Sequence, residues 1–581
     1  MRRPLVFSLL CGLMVTANVH SAPKDPLRFF PAEATQVVAV VPQPRALVEA
    51  LLNHPRAKDA QSLPQVREFL DSANLRKFFQ LLAYYEKDLG ARWPELLDQF
   101  AGDGLAIGAK FGDDNAPVLA VLQGRDKARV TKLVELITYL VEDERTRAGS
   151  KEAIARKKYQ GIEAIEISKD LLIAQVGDAL LVANKNESLK AGIDQHTANT
   201  KDSAAKNLAN SSVRKDVGKI LDGDPLAWIW VNLKPLKERQ EAKDLFATPR
   251  SNVILTVLFA GLLDVARRAD YVAVGFFREK DDLKLTVRLP AGRKDTAPDV
   301  ELHLPKDPKA GGSLAPFDLP GMLACHSFYM DFDTFYTKKD QIFPPQTSKD
   351  LENAEKQISR ILINSTLPKF LASTGVHHRV VAVQPEKVPG YGKQPETRLP
   401  AVAFVTTMRD PSFAKSMTSI IKAGALAASG QATLRSWEEE IEGVQAFGYS
   451  FPDNGKFPDD PMNIRFNYQP TFAAVDDQFI FASNKGLCRD LIKTIRAEGK
   501  KTADNANLQT AVNFRGLSDF TNVLPEIPLA GMILSQGVPL AEAKTQTAVF
   551  YKFLDSLGRV TLKTEYSGTE FHFDLLWKPA K

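Results

Sequence analysis

Short runs in which apolar and polar residues alternate recur along this chain. Between them stand longer stretches with an apolar residue every three or four positions. Leu105, Ile107, Ala109 and Phe111 alternate, which is the period of a strand with one face on a core. Val130, Leu133, Val134, Ile137, Leu140 and Val141 fall on one side of a helix, as do Phe413, Met417, Ile420 and Ile421. LLIAQVGDALLVANK (Leu171 to Lys185) and TFAAVDDQFIFASNK (Thr471 to Lys485) are each two apolar runs around a two-residue turn, Gly177-Asp178 and Asp476-Asp477. Gly and Asp tolerate the left-handed backbone such turns need, so both segments predict hairpins. Hairpins and alternation predict antiparallel sheet, and the helices between strand groups would cover one face of it. The fold class is α+β.

The same pattern is written twice. APVLAVLQGRDKARVTKLVELI from Ala116 returns at Pro400 as PAVAFVTTMRDPSFAKSMTSII, each a strand, an Arg-Asp corner and an amphipathic helix. YQGIEAIEIS (Tyr159 to Ser168) matches IEGVQAFGYS (Ile441 to Ser450), and LAIGAKF matches HHRVVAV. After each hairpin a polar stretch leads to a helix, around Val213 to Ile220 and Asn513 to Val523. Each half closes on alternating strands, DYVAVGFF and DLKLTVRL, then GRVTLKTEY and TEFHFDLLW. A period this long means a duplicated domain rather than a solenoid. The expected organisation is a signal peptide over 1–21, a first α+β repeat over 22–303, a linker over 304–320 and a second repeat over 321–581. These would be two homologous tandem domains, each an antiparallel sheet with helices packed on one face.

Arg2 and Arg3 ahead of the apolar stretch Leu5 to Ala17, with Val19-His20-Ser21 as a small-residue cut site, predict an export signal. The protein is expected in the periplasm or outside the cell. Leu10 precedes Cys11 where a lipoprotein signal wants a small residue. Val253 to Leu263 is almost wholly apolar but too short to span a bilayer, and a helix buried between layers is expected there. The formal charge is +5, with basic and acidic residues interspersed. That balance argues against a nucleic-acid partner, and Arg156-Lys157-Lys158 is expected to be a solvated loop edge. Cys325 and Cys488 fit either one disulfide or two separate buried thiols.

Candidate chemistry is sparse. Neighbours on a strand face opposite ways, so His377-His378 and Cys325-His326 are poorly placed to share a metal. The chain has no HExxH, CxxC or G-x-S-x-G motif, and Gly102, Gly104 and Gly108 lack the lysine of a phosphate loop. Asp113-Asp114 and Asp459-Asp460 sit in polar loops, and Asp453 to Asp460 lacks the spacing of an EF-hand. No catalytic, cofactor-binding or metal-binding residue is assigned, and no cofactor is expected. The polar feature common to both halves is the corner Arg125-Asp126 and Arg409-Asp410. An aspartate at a helix start caps free amides, and the arginines would brace the corner.

The strand after FFPAEAT, the strand–RD–helix unit, the YQGIE segment, the VGDALLVAN hairpin and the polar NLANSSV stretch resemble exported bacterial proteins of the domain-of-unknown-function 3352 type. The resemblance covers most of the chain after the signal, once per half. It implies a fold and brings no established activity, so no functional residue is carried over. The reading is an exported, non-enzymatic binding or structural module of the cell envelope. Its partner would be an unknown protein or an apolar ligand of the envelope, and the chain allows membrane contact without a span once the signal is cleaved. The rival readings are a periplasmic carrier of an apolar ligand, with Val253 to Leu263 lining its pocket, and a hydrolase with an unrecognised site.

Overall fold

The computed structural model describes residues 24–580 apart from 112–115, 148, 150–153, 202–205, 308–309, 361, 363–364, 389, 429–433, 454–458, 500–502 and 524–525. The signal segment, Asp113-Asp114 and the middle of the Asp453 to Asp460 loop lie outside the described residues. Contacts group the chain into two compact units. Of the described residues, unit 1 holds those within 24–48 and 80–217, and unit 2 those within 49–79 and 218–580. These bounds follow spatial contact and cut the chain at other places than the sequence repeat does.

Unit 1 contains β1 (Val37–Val41), β2 (Leu105–Ala109), β3 (Val118–Gln123), β4 (Ala155–Tyr159), β5 (Ile162–Ser168), β6 (Leu171–Val176) and β7 (Ala179–Ala183). They form an antiparallel sheet in the order β4-β5-β6-β7-β3-β2-β1. Gly177 takes a left-handed φ of 65° at the β6–β7 turn, as the hairpin pattern predicts. Helix Lys127–Arg147 lays Val130 and Val134 on Ile165, Ile167, Ile173 and Leu180. One strand is turned over relative to the sequence reading. Ala106 and Gly108 are the buried positions of β2, while Ile107 is 43% exposed. The cause is Phe30, whose ring would lie 2.4 Å from a β-carbon at Gly108. The small residues mark the buried face because an aromatic ring takes up the space above them.

Unit 2 contains β8 (Ala227–Asn232), β9 (Tyr271–Glu279), β10 (Asp282–Leu289), β11 (Met322–Tyr329), β12 (Thr374–Val383), β13 (Ala401–Met408), β14 (Arg435–Ile441), β15 (Val444–Ser450), β16 (Thr471–Val475), β17 (Gln478–Ala482), β18 (Leu508–Asn513), β19 (Arg559–Tyr566) and β20 (Phe571–Lys578). One antiparallel sheet runs β8-β9-β10-β20-β19-β18-β11-β12-β13-β17-β16-β15-β14. The run from β14 to β11 repeats, strand for strand, the order seen in unit 1. The hairpins β9–β10 and β19–β20 correspond in the same way, and β10 pairs with β20 from Leu283↔Trp577 to Leu289↔Phe571.

That junction mixes the two halves of the sequence. Val265 of helix Val253–Arg268, and Ala269 just after it, share a core with Leu289, Tyr566 and Phe571. A β-carbon at Gly261 would lie 2.2 Å from the Tyr566 hydroxyl, so the helix sits on β19 only because that position is glycine. On the other side of the junction the His54 ring stacks 4.9 Å from Trp577. The stretch Leu304 to Pro320 is held within unit 2, with Phe317 fully buried and Ser313 N–H bonded to the Ala506 carbonyl.

Two further expectations are corrected. The helix around Val213 stands before β8, whereas Phe514–Val523 follows β18, so the two are not counterparts. The counterpart of Asn513 is Asn232: each ends its strand, and each Oδ1 accepts the amide two residues on, from Arg515 and Lys234, at 3.1 Å. Helix Val253–Arg268 is also not buried between layers along its whole girth. Its small inner side meets the core, while Ile254 and Leu258 stand 70% and 60% exposed. No helix among the described residues is long and apolar enough to cross a membrane.

Candidate functional site

The Arg-Asp corners hold chain geometry in each unit. Asp126 Oδ1 accepts the amides of Ala128 (2.9 Å) and Arg129 (3.3 Å) at the start of helix Lys127–Arg147. Arg125 reaches back to Asp103 at 2.9 Å and to the Gly102 carbonyl at 2.8 Å. In unit 2 Asp410 accepts the Ser412 amide at 2.6 Å, and these bonds to Ser412 hold its carboxyl below the usual carboxylate range. Arg409 lies 2.9 Å from Asp331 and 3.6 Å from Asp333. The aspartates are engaged within their own corners, and the arginines reach out to other segments.

A cleft of unit 2 lies elsewhere, with a volume of about 840 Å³. Four separate segments build it. Gln384 continues β12, takes the Gly321 carbonyl with its amide at 2.8 Å and gives its side-chain NH₂ to the Arg398 carbonyl at 3.1 Å. That bond ties off the loop between β12 and β13, which carries Glu386, Lys387 and Arg398 to the rim. Helix Lys485–Glu498 starts at Asn484, whose Oδ1 accepts the Leu487 amide at 2.9 Å. Helix Phe514–Val523 starts at Asn513, and a β-carbon at Gly516 would lie 2.2 Å from the Met322 carbonyl oxygen. Both helices therefore begin at the cleft, with their free amides and the positive ends of their dipoles near it.

Four cations, Lys387, Arg398, Arg489 and Arg515, share the lining with Glu386, Asp490 and Asp519. Burial lifts the Asp490 carboxyl above the usual range, against the pull of Lys493 and Arg489. The lining residues bring no hydroxyl, thiol or imidazole side chain. The arrangement suits the holding of charged and polar groups.

The other chemistry-bearing residues serve the core. His378 is fully buried, with Nε2 3.0 Å from the Met330 carbonyl and Nδ1 2.9 Å from the Thr406 hydroxyl. His377 lies against Tyr329 instead, on the opposite face of the strand. Cys325 and Cys488 are free, buried thiols, and burial pushes them up to about 11 and about 12. Asp460 accepts the amides of Ile464 (2.8 Å) and Arg465 (3.0 Å), so its carboxylate braces a turn. Among the described residues no group of three or more His, Cys, Asp or Glu is placed to hold a metal ion. The run Arg156-Lys157-Lys158 lies on β4 rather than on a loop.

Sequence reading missed every residue of the cleft. The available signal was local: Asn484-Lys485-Gly486 and Asn513-Phe514-Arg515-Gly516 both place an Asn cap just ahead of a glycine in the first helical turn.

Two outcomes follow. Asp126→Ala removes two capping bonds and is expected to lower stability by about 1 kcal/mol. Asp410→Ala acts in the same direction, and unchanged melting temperatures for both would refute the capping role. The second concerns pH. Burial holds the His378 imidazole down at about 4, against an ordinary value of 6.5, so the unfolded chain takes up the proton first. Its contribution is full above pH 6.5 and is lost as pH falls through 4, a swing of roughly 3 kcal/mol. Urea unfolding midpoints of the wild type should therefore fall more steeply between pH 7 and pH 4 than those of His378→Gln.

No protein-family model matches the chain, and no curated protein matches it. Solved structures of the protein TP0453 are similar over part of the chain. Crystal form I has 11% identity and a TM-score of 0.23, covering 47% of this chain and 81% of that one. Crystal form IV has 10% identity and a TM-score of 0.22, covering 46% and 80%. A superposition of that quality says nothing of function.

Proposed function

We propose that this chain is an exported binding module of the cell envelope, without catalytic chemistry of its own, built from two copies of one α+β domain. The cleft of unit 2 would be its binding site, and its ligand would carry charged groups. The observation that carries this is the lining: two helix starts and four cations, set against three carboxylates. The duplication is supported by the strand order of unit 1 recurring in β14 to β11. Membership of the domain-of-unknown-function 3352 type would accord with both. The test is thermal unfolding of the full chain with acetate, phosphate, citrate, glycine and short acidic peptides as probes. A probe at a hundred times its dissociation constant stabilises by about 2.7 kcal/mol. Arg398→Ala and Arg515→Ala should each abolish that shift. No shift with any probe, or a shift that survives both variants, would overturn the assignment of the cleft.

The apolar-carrier reading keeps one specific support, the exposed Ile254 and Leu258 on helix Val253–Arg268. Mass spectrometry of an organic extract of the purified protein decides it. A lipid in stoichiometric amount favours the carrier, and an empty extract sinks it.

A further inference from the structure

The outermost strands of the two sheets carry opposite charges at equivalent places. Within its unit β4 is paired with β5, and β14 with β15, while the far side of each carries no described partner from that unit. Each leads through a turn with a left-handed glycine, Gly161 at φ 81° and Gly443 at φ 72°, into the next strand. Superposing those turns sets Tyr159 on Ile441. Arg156, Lys157 and Lys158 then coincide with Glu438, Glu439 and Glu440. Three successive positions of one structural element have reversed sign. All six residues lie on the surface or partly so: Arg156, Lys157, Lys158, Glu438 and Glu440 are exposed, and Glu439 is half-buried.

An open strand edge presents a row of unpaired N–H and C=O groups, and proteins commonly charge such edges to keep them from pairing. A single sign on both edges would serve that purpose. Opposite signs do something different: each edge repels its own kind and attracts the other. We propose that β4 of one molecule pairs with β14 of a second copy of this chain. The pairing is antiparallel, with Lys157 opposite Glu439, which sets Arg156 against Glu440 and Lys158 against Glu438.

The faces agree with this register. Tyr159 gives its hydroxyl to Asp194 of helix Asn186–Lys201 at 2.9 Å. Lys485, at the start of the equivalent helix, meets Glu439 and lies over the Trp437 ring at 5.2 Å. Lys157 with Tyr159, and Glu439 with Trp437, therefore face equivalent helices, and Tyr159 would stand opposite Trp437. The charges have partners at home: Arg156 with Glu163 at 3.3 Å, Lys157 with Glu166 at 3.7 Å and Glu438 with Lys422 at 2.5 Å. These are surface pairs of small worth, and directly opposed cross-strand charges compete with them. The contact is head-to-tail. Each molecule keeps one edge of each sign, so association continues into chains or closes into a ring.

Sedimentation velocity of the full chain, over a concentration series at about 20 mM and about 500 mM salt, tests the proposal; the higher salt shortens the screening length severalfold. Species larger than the monomer are expected at low salt and should dissolve at high salt. R156E/K157E/K158E leaves a molecule with two acidic edges, and E438K/E439K/E440K one with two basic edges. Each alone should associate at least about a hundredfold more weakly than the wild type, since three attractions become three repulsions. An equimolar mixture of the two should associate again. Circular dichroism establishes that each variant is folded, and if either is not, the wild-type salt series decides alone. A monomer at every concentration and salt overturns the proposal. So does association of a folded variant alone at wild-type strength, or a mixture of folded variants that stays monomeric.

Discussion

The pairing of β10 with β20 is the constraint on which unit 2 depends. It joins the two hairpins that close the two halves of the chain, and it aligns a row of large apolar side chains, Leu283 with Trp577, Leu285 with Leu575, Val287 with Phe573 and Leu289 with Phe571. Adjacent apolar pairs across antiparallel strands are the unit of sheet stability. Here they also give helix Val253–Arg268 a floor, since Tyr566 and Phe571 complete the core it sits on. Remove the pairing and that helix loses Tyr566 and Phe571 from the core it covers. The mixed core also explains why contact grouping and sequence repeat cut the chain differently.

Much of the local structure was legible because its cause is local. The two hairpins followed from Gly177 and Asp476 at their turns, and the helices from their apolar spacing. The face of β2 was not legible, because alternation says that one face is buried without saying which. Bulk favoured Ile107, whereas the structure buries Gly108 under Phe30. The strand order of unit 1 recurs in β14 to β11, whereas the polar stretches do not correspond. There the comparison rested on helical pattern, and the strand-ending asparagines Asn232 and Asn513 are the truer markers.

The cleft was invisible for a different reason. Its lining is drawn from the end of β12, the loop that follows, and the starts of two helices, and none of these segments is unusual alone. Only the sheet order brings them together, and that order rests on strand pairings far apart in sequence. The histidines show the converse. They are conspicuous in sequence because the residue type is rare in this chain, yet His378 serves as a buried link between β11, β12 and β13. Rarity drew attention to packing residues, while common residues such as Asn484, Arg515 and Gly516 form the cleft.

The β10–β20 ladder also sets a timetable. Thr286 faces Asp574 in it, so one edge of the β9–β10 hairpin waits until almost the whole second half of the chain has been made. At ordinary ribosomal speeds that interval is on the order of half a minute. Through it a row of unpaired backbone groups and the apolar side chains of β10 lie open, beside a helix that has only part of its floor. A nascent chain of this design is most exposed to wrong pairing midway through its synthesis, and the eight residues of β20 end that exposure.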